Sequence, residues 1–231
     1  MTQKKERRRK AILEYVRSAA RTSVEELCTT FGVSEATIRR DLADLDAQRR
    51  LLRTLGGAYA ADGYVSELPM LSRIEEMKAE KNRIGRAAAE LVNDGDVIFL
   101  SSGTTTLYMI PYLESKDDLT VITNSLPAAN RVALLPNAVN LVVVGGTYRE
   151  SEQSFLGKSA IRELQALRAS KLFIGVRSIH PNHGLTNVDL AETEVDRQIV
   201  SAAETVIVLA DHTKFDARAP AFLCDIEDIQ T

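Results

Sequence analysis

Cysteine is scarce in this chain of 231 residues: Cys28 and Cys224 are the only two, far apart, with no CxxC spacing and no His/Cys cluster beside them. Neither a disulfide framework nor a metal site is indicated, and a reduced, cytoplasmic setting is the expectation. Long apolar runs are also missing. No stretch approaches the roughly 18 residues needed to span a bilayer, and the start, MTQKKERRRK, leads into an amphipathic helix rather than an apolar signal core, so no membrane partner is expected. Low-complexity tracts and internal repeats are absent too, while 45% of the residues are hydrophobic, which is enough for one small and one medium globular domain.

Charge is present in both signs but unevenly distributed. Residues 1–60 hold 13 Lys+Arg against 8 Asp+Glu, whereas residues 61–231 hold 16 against 24. A basic excess confined to one end is expected of a nucleic-acid-binding module joined to something else.

That end contains SVEELCTTFGVSEATIRRDLADL, from Ser23 to Leu45. Ser23 and Glu26 have the spacing of a capping box, and Leu27 and Phe31 form the apolar stripe of a first helix. Gly32 supplies the positive φ of a tight turn, and Ser34 is set to cap a second helix. On that helix Ile38, Leu42 and Leu45 fall at i, i+4 and i+7 and point into a core, which leaves Ala36, Thr37, Arg39 and Arg40 outward. A small residue beside two guanidinium groups suits a DNA groove, because Ala36 admits close approach and arginine pairs bidentately with guanine or phosphate. Upstream, Ile12, Leu13 and Val16 have helical spacing behind the basic RRRK run, which either contacts phosphates, Arg8 among the candidates, or is disordered. Downstream, LLRTLGGAYA alternates towards a Gly-Gly turn as a hairpin does. Three helices and a hairpin describe a winged helix-turn-helix over residues 1–60, with Ser34, Ala36, Thr37, Arg39, Arg40 and Arg53 as candidate contacts to double-stranded DNA.

Residues 61–79 contain Gly63 and Pro69 and then turn charged, as a linker and the start of a connecting helix would. From Glu80 to Thr231 short β-rich runs (DVIFL, TVIT, LVVV, KLFIGV, TVIVLA) alternate with amphipathic segments, the pattern of a doubly wound parallel α/β sheet. Small polar residues collect after the strands: SSGTTT (Ser101 to Thr106), TNS (Thr123 to Ser125) and Gly145-Gly146-Thr147. Ligands in such sheets bind beyond the carboxyl ends of the strands, and SSGTTT has the composition of an anion cradle. Lys214, after TVIVLA, is a candidate cation for the same crevice.

The segment VSEATIRRDLADL with LLRTLGGA resembles the DeoR family of bacterial transcriptional regulators. The pieces SGTTT, TNS, GGTYRE, SFLG, GLTN and LADHTKF look like landmarks of that family's C-terminal sensor domain, so the resemblance covers nearly the whole chain. It implies a sensor similar in fold to ribose-5-phosphate isomerase and glucosamine-6-phosphate deaminase that binds a phosphorylated sugar or related metabolite, with no cofactor. Carried over by position, it implies effector contacts from Gly103, Thr104, Thr105, Thr106, Asn124, Gly146 and Lys214, with Ser102 of the same loop. Departures are visible: Arg49 stands where a glycine is usual, Leu55 where the wing has His, and Ser101 where an aspartate is usual. RSIHPNHGLTN replaces an acidic stretch, and the chain stops at Thr231, earlier than members typically do, so a final strand or helix is expected to be missing.

The expectation is therefore a DNA-binding repressor of a carbohydrate operon, a homodimer or homotetramer, whose operator affinity is set by a phosphorylated metabolite. The alternative is an isomerase or deaminase with a DNA-binding arm. That chemistry needs a general base, usually a carboxylate. Between Phe173 and Asn187 there is no Asp or Glu, His180 and His183 read as surface residues, and Glu192 and Glu194 of the AETE run read as an exposed helical face, which leaves Asp211. No catalytic residue is assigned.

Overall fold

The computed structural model describes every residue except 1, 20, 49, 55, 61–69, 216, 217 and 231. Arg49, Leu55 and half of the expected linker therefore lie outside the described residues. The chain divides into two compact units, Met1–Ser66 and Glu67–Thr231.

The first unit runs α1 (Thr2–Ala19), β1 (Arg21–Ser23), α2 (Val24–Phe31), α3 (Glu35–Ala47), β2 (Leu51–Thr54) and β3 (Gly57–Ala60), with the strands antiparallel in the order β1-β3-β2. The capping box of α2 is formed: the Glu26 N–H donates to Ser23 Oγ at 3.1 Å and the Ser23 N–H to Glu26 Oε2 at 3.4 Å. Gly32 closes α2 with φ 62°. Ser34 departs from expectation, because its hydroxyl meets the Thr37 hydroxyl at 3.0 Å instead of capping a backbone N–H of α3. Ile12, Leu13, Val16, Leu27, Ile38, Leu42 and Leu45 form the core, all at most 1% exposed. Strand β1 had no sequence signal in three residues. It forms where Gly57 lets the Thr22 carbonyl come so near that an added Cβ would stand 2.0 Å from its oxygen.

One charge in this unit is internal. Asp41, 1% exposed, accepts from Arg8 Nε at 2.6 Å and from Arg9 Nε at 3.1 Å. Arg8 and Arg9 thus clamp α1 onto α3, which corrects their assignment to phosphate contact. A carboxylate that cannot reach water recruits the nearest cations, and the basic run supplies them.

The second unit runs α4 (Met70–Arg73), α5 (Lys78–Glu90), β4 (Val97–Leu100), α6 (Thr104–Leu107), β5 (Leu119–Thr123), α7 (Leu126–Val132), β6 (Val139–Val143), β7 (Thr147–Arg149), β8 (Ser154–Leu156), α8 (Lys158–Gln165), β9 (Ala169–Gly175), β10 (Ser178–His180), β11 (Gly184–Asn187), α9 (Leu190–Ser201), β12 (Ala203–Leu209) and β13 (Ala221–Cys224). Five strands make a parallel sheet in the order β12-β9-β4-β5-β6. Its central strands are nearly continuous apolar runs because helices cover both faces: Leu100, Val121, Phe173 and Leu209 join one apolar cluster, Phe99, Ile122, Leu172 and Ile174 the other. The β7–β8 hairpin and the antiparallel sheet β10-β11-β13 had not been expected, since strands of three or four residues carry too little alternation to be read.

At the amino end of the sheet, Lys171 Nζ on β9 donates to Asp96 Oδ2 at 2.5 Å. Burial pushes the Asp96 carboxyl up, but the hydrogen bonds from Lys171, the Asn93 N–H and Ser170 outweigh it and hold the group below its ordinary range. A carboxyl depressed on folding adds stability above its unfolded pKa, about 3.9, and loses it as pH falls through the folded value. Asp96→Asn is therefore expected to lower the melting temperature at neutral pH, with the gap to wild type closing in acid. A gap independent of pH would show that the charge contributes nothing.

Candidate functional site

Each unit presents one surface that the sequence singled out. On α3, Ala36, Arg39 and Arg40 are exposed and Thr37 is half-buried, while the opposite side of the helix fills the core. The two arginines are not equivalent. Arg39 Nε donates to Glu35 Oε1 at 2.6 Å in an i,i+4 pair, whereas Arg40 has no partner among the described residues. An exposed pair such as Arg39–Glu35 adds little to stability and is easily given up to a phosphate. Arg53, on β2, is exposed, and its N–H donates to Asp46 Oδ1 at 3.1 Å, which fixes the hairpin against the last turn of α3.

The second surface follows from topology. The chain runs β4 to β5 to β6 in one direction across the sheet and then returns to β9 and β12 on the other side of β4. The order reverses between β4 and β9, and a crevice opens beyond the carboxyl ends of strands at such a point. Ser101 to Thr106 leaves β4 there, anchored by the Ser101 N–H on the Phe173 carbonyl of β9 at 3.1 Å. Gly103 has φ 150°, a conformation side-chain-bearing residues rarely adopt, and an added Cβ would meet only the Thr106 hydroxyl, at 3.7 Å. The N–H groups of Ser102 and Gly103 donate to no acceptor among the described residues.

The other expected effector residues take different parts. Thr106 Oγ1 lies 3.0 Å from the Ser101 carbonyl and 2.8 Å from that of Gly103, so this hydroxyl folds the loop on itself instead of facing a ligand. Thr104 and Thr105 are 5% and 6% exposed, and their hydroxyls have no partner among the described residues. Asn124, fully buried at the end of β5, donates from Nδ2 to the Phe155 carbonyl at 3.3 Å, while its Oδ1 is left without a partner. At Gly146 an added Cβ would stand 2.4 Å from the Leu156 carbonyl oxygen, so this glycine lets the loop after β6 pack on the β7–β8 hairpin. Lys214 is half-buried in a short 3-10 turn, His212–Lys214, opened by Asp211. Burial raises the Asp211 carboxyl, but hydrogen bonds from Thr213 and the charges of Lys214 and Lys81 prevail and keep it below the usual range. Burial and then Arg73 pull Lys81 below the usual lysine range, and its Nζ donates to the Arg73 carbonyl at 2.5 Å. His180 and His183 stack at 4.6 Å in the β10–β11 turn, where His183 is exposed.

Sequence reasoning missed part of this surface. Glu192, expected on an exposed face, is 7% exposed, and Asp196 is 3% exposed. Ser102 Oγ donates to Glu192 Oε1 at 3.1 Å, and Arg149 Nη1 donates to Glu192 Oε2 at 2.6 Å and lies 3.4 Å from Asp189 Oδ1. Ser101 Oγ donates to Asp196 Oδ1 at 3.4 Å, and Asn187 Nδ2 to Asp196 Oδ2 at 3.0 Å. A signal was there: Glu192, Val195, Asp196 and Ile199 fall at i, i+3, i+4 and i+7, so two acids share the face of two buried aliphatics. Glu194 is exposed, as expected.

A winged helix with an arginine-bearing outer face, followed by a parallel α/β unit with polar loops at its switch point, defines a DNA-binding regulator with a separate α/β sensing unit. Residues 8–63 match the DeoR-like helix-turn-helix domain and residues 76–231 the DeoR C terminal sensor domain. This chain belongs to the DeoR family of transcriptional regulators. It is 34% identical over 202 residues to the HTH-type transcriptional regulator IolR of Bacillus subtilis, covering 87% of this chain and 80% of that one. It is 35% identical over 209 residues to the B. subtilis repressor GlcR (90% and 80%) and 30% identical over 216 residues to the glycerol-3-phosphate regulon repressor of Escherichia coli (94% and 85%). Among solved structures, ribose 5-phosphate isomerase from Plasmodium falciparum aligns at 16% identity with a TM-score of 0.45, over 61% of this chain and only 54% of the isomerase. No helix among the described residues is long and apolar enough to cross a membrane.

Proposed function

We propose that this protein is a cytoplasmic repressor of a carbohydrate-metabolism operon whose hold on its operator is set by a phosphorylated sugar or related metabolite. Ser34, Ala36, Thr37, Arg39, Arg40 and Arg53 contact the operator, and Ser102, Gly103, Thr104, Thr105, Asn124 and Lys214 surround the effector, while Thr106 and Gly146 shape the loops that carry them. The observation that carries the sensing half is the pair of uncommitted N–H donors at Ser102 and Gly103 beside a strand-order reversal, since uncommitted backbone donors at such a point are what a phosphate oxygen needs. Relatives named as the glycerol-3-phosphate regulon repressor and as a putative aga operon transcriptional repressor support the same reading. The protein acts as a homodimer or homotetramer, because two half-sites about 34 Å apart need two winged helices. An effector moves the operator equilibrium only by its differential affinity for the two states, for which about 1 to 3 kcal/mol is ordinary.

Two measurements test this. In a thermal-shift screen of sugar phosphates, sugar acids and free sugars, a phosphorylated compound is expected to raise the midpoint, and Gly103→Val to abolish the rise, because valine cannot hold φ 150°. No response to any phosphorylated compound would remove the sensing half. Arg40→Ala is expected to weaken operator binding by about 1 to 3 kcal/mol and to flatten base preference at one position. Equal losses on operator and random duplex would rule out base reading by Arg40.

A further inference from the structure

We propose that the turn between β7 and β8, residues 150–153, couples the crevice to the segment 70–77 through which the chain enters the second unit, so that a phosphate at Gly103 loosens that segment. The inference rests on the effector reading above and adds to it a route from the site towards the part of the chain that follows the DNA-binding unit.

The route is a series of contacts on both sides of one turn. On the crevice side, Ser102 Oγ donates to Glu192 Oε1 at 3.1 Å and Arg149 Nη1 donates to Glu192 Oε2 at 2.6 Å, so both carboxylate oxygens are taken. The same arginine donates from Nε to Ser151 Oγ at 2.9 Å, which ties the turn to the crevice. On the other side, the Ser151 carbonyl accepts from the Met70 N–H at 2.7 Å, and the buried Glu152 carboxylate accepts from buried Arg73. Ser151 is therefore held from two directions, by its hydroxyl and by its carbonyl. The later part of the segment is fastened separately, by the Tyr108 hydroxyl, which donates to the Ile74 carbonyl at 3.0 Å.

Both elements carry backbone strain. Gln153 in the turn has φ 50° and Met77 at the end of the segment has φ 51°. Side-chain-bearing residues hold that left-handed conformation only where their surroundings enforce it. An element held in this way has a relaxed arrangement within reach once a contact is released.

A phosphate on the Ser102 and Gly103 N–H groups releases one. Its oxygens compete with Glu192 for the Ser102 hydroxyl, and its charge draws the Arg149 guanidinium, which stands one carboxylate away from Ser102. An Arg149 that turns to the phosphate gives up Ser151. The turn then loses its tie to the crevice and slackens its hold on Met70 and Arg73.

Hydrogen exchange of the full-length chain, read by mass spectrometry, tests this with inorganic phosphate as the probe, against chloride at equal ionic strength. In wild type, phosphate is expected to slow exchange in the Gly103 loop and to speed it in residues 70–77 by about fivefold. Glu152→Gln is expected to exchange fast in that segment already, with no further effect of phosphate there, and to keep the slowing at the Gly103 loop. Ser151→Ala removes only the hydroxyl that Arg149 holds, and it carries the test if Glu152→Gln does not fold. It too is expected to keep the response of the loop and to lose that of the segment. Exchange in residues 70–77 that phosphate leaves unchanged in wild type, or alters equally in the variants, overturns the role of the turn and leaves the anion site standing. A Gly103 loop indifferent to phosphate, or slowed equally in Gly103→Val, overturns the effector reading and this inference together.

Discussion

Asp41→Ala is expected to unfold the DNA-binding unit at denaturant concentrations that leave the second unit folded. The carboxylate is 1% exposed and is held by Arg8 and Arg9, whose side chains are only 22% and 12% exposed. Deleting it leaves Arg8 without its carboxylate and Arg9 with Asp44 alone, and removing one side of a buried ion pair costs about 3 to 5 kcal/mol. A unit of this size has a total stability of the same order, so most molecules would lose it. Urea unfolding of the full chain, followed by far-UV circular dichroism, should show an early transition in the variant that wild type lacks, and operator binding should be lost with it. A transition that moved by under about 1 kcal/mol would mean that the clamp is a surface pair in practice. Asp41 lies inside the TIRRDL signature beside Arg40, so the same short segment carries a residue proposed to read DNA and one that holds the helix in place.

Gly85→Ala is expected to destabilise the second unit by about 3 kcal/mol, against the sign that helix propensity gives. Gly85 lies within α5, where alanine is normally preferred by about 1 kcal/mol. Here an added Cβ would stand 2.5 Å from the Tyr108 carbonyl carbon, 2.6 Å from its oxygen and 2.7 Å from the Met109 nitrogen. Those atoms are backbone and cannot rotate away, so α5 must lift from the segment after α6. That segment continues from the Gly103 loop, and the variant should therefore also weaken any phosphorylated ligand found in the thermal-shift screen. A midpoint equal to or above wild type would show that α5 can shift without cost.

How far the sequence could be read varied with the kind of signal. The helices and wing of the first unit were legible because their cues are local: a capping box four residues long, a glycine in a turn, and apolar spacing on one helix; strand β1 and the part played by Ser34 were not. Strands β4, β5 and β9 were legible because burial on both faces writes them as apolar runs, and the edge strands β6 and β12 because they too are rich in Val, Leu and Ile. The antiparallel strands β10, β11 and β13 were not, since what pairs Thr186 with Phe222 is distance in space, not pattern in sequence. The candidate site divided in the same way. The Gly103 loop announced itself through glycine and hydroxyls, but Glu192 and Arg149 are 43 residues apart and meet only through the fold. Glu192 was misread because an acid on a helix is ordinarily solvated, and nothing local says that Ser102 and Arg149 will close over it. Arg8 was misread for the converse reason, its acid partner being 33 residues away.

The clamp on Asp41 also bears on how this protein should respond to ionic strength. Each phosphate that a protein neutralises on duplex DNA contributes about −0.9 to the slope of log affinity against log salt concentration. A count of the 13 Lys+Arg in residues 1–60 suggests a steep slope. Arg8 and Arg9, however, already have their counter-charge inside the protein and release no counterions from DNA, and Arg39 must first leave Glu35. Operator affinity should therefore fall more gently with salt than so basic an N-terminus implies, and a larger share of it should come from contacts to the bases.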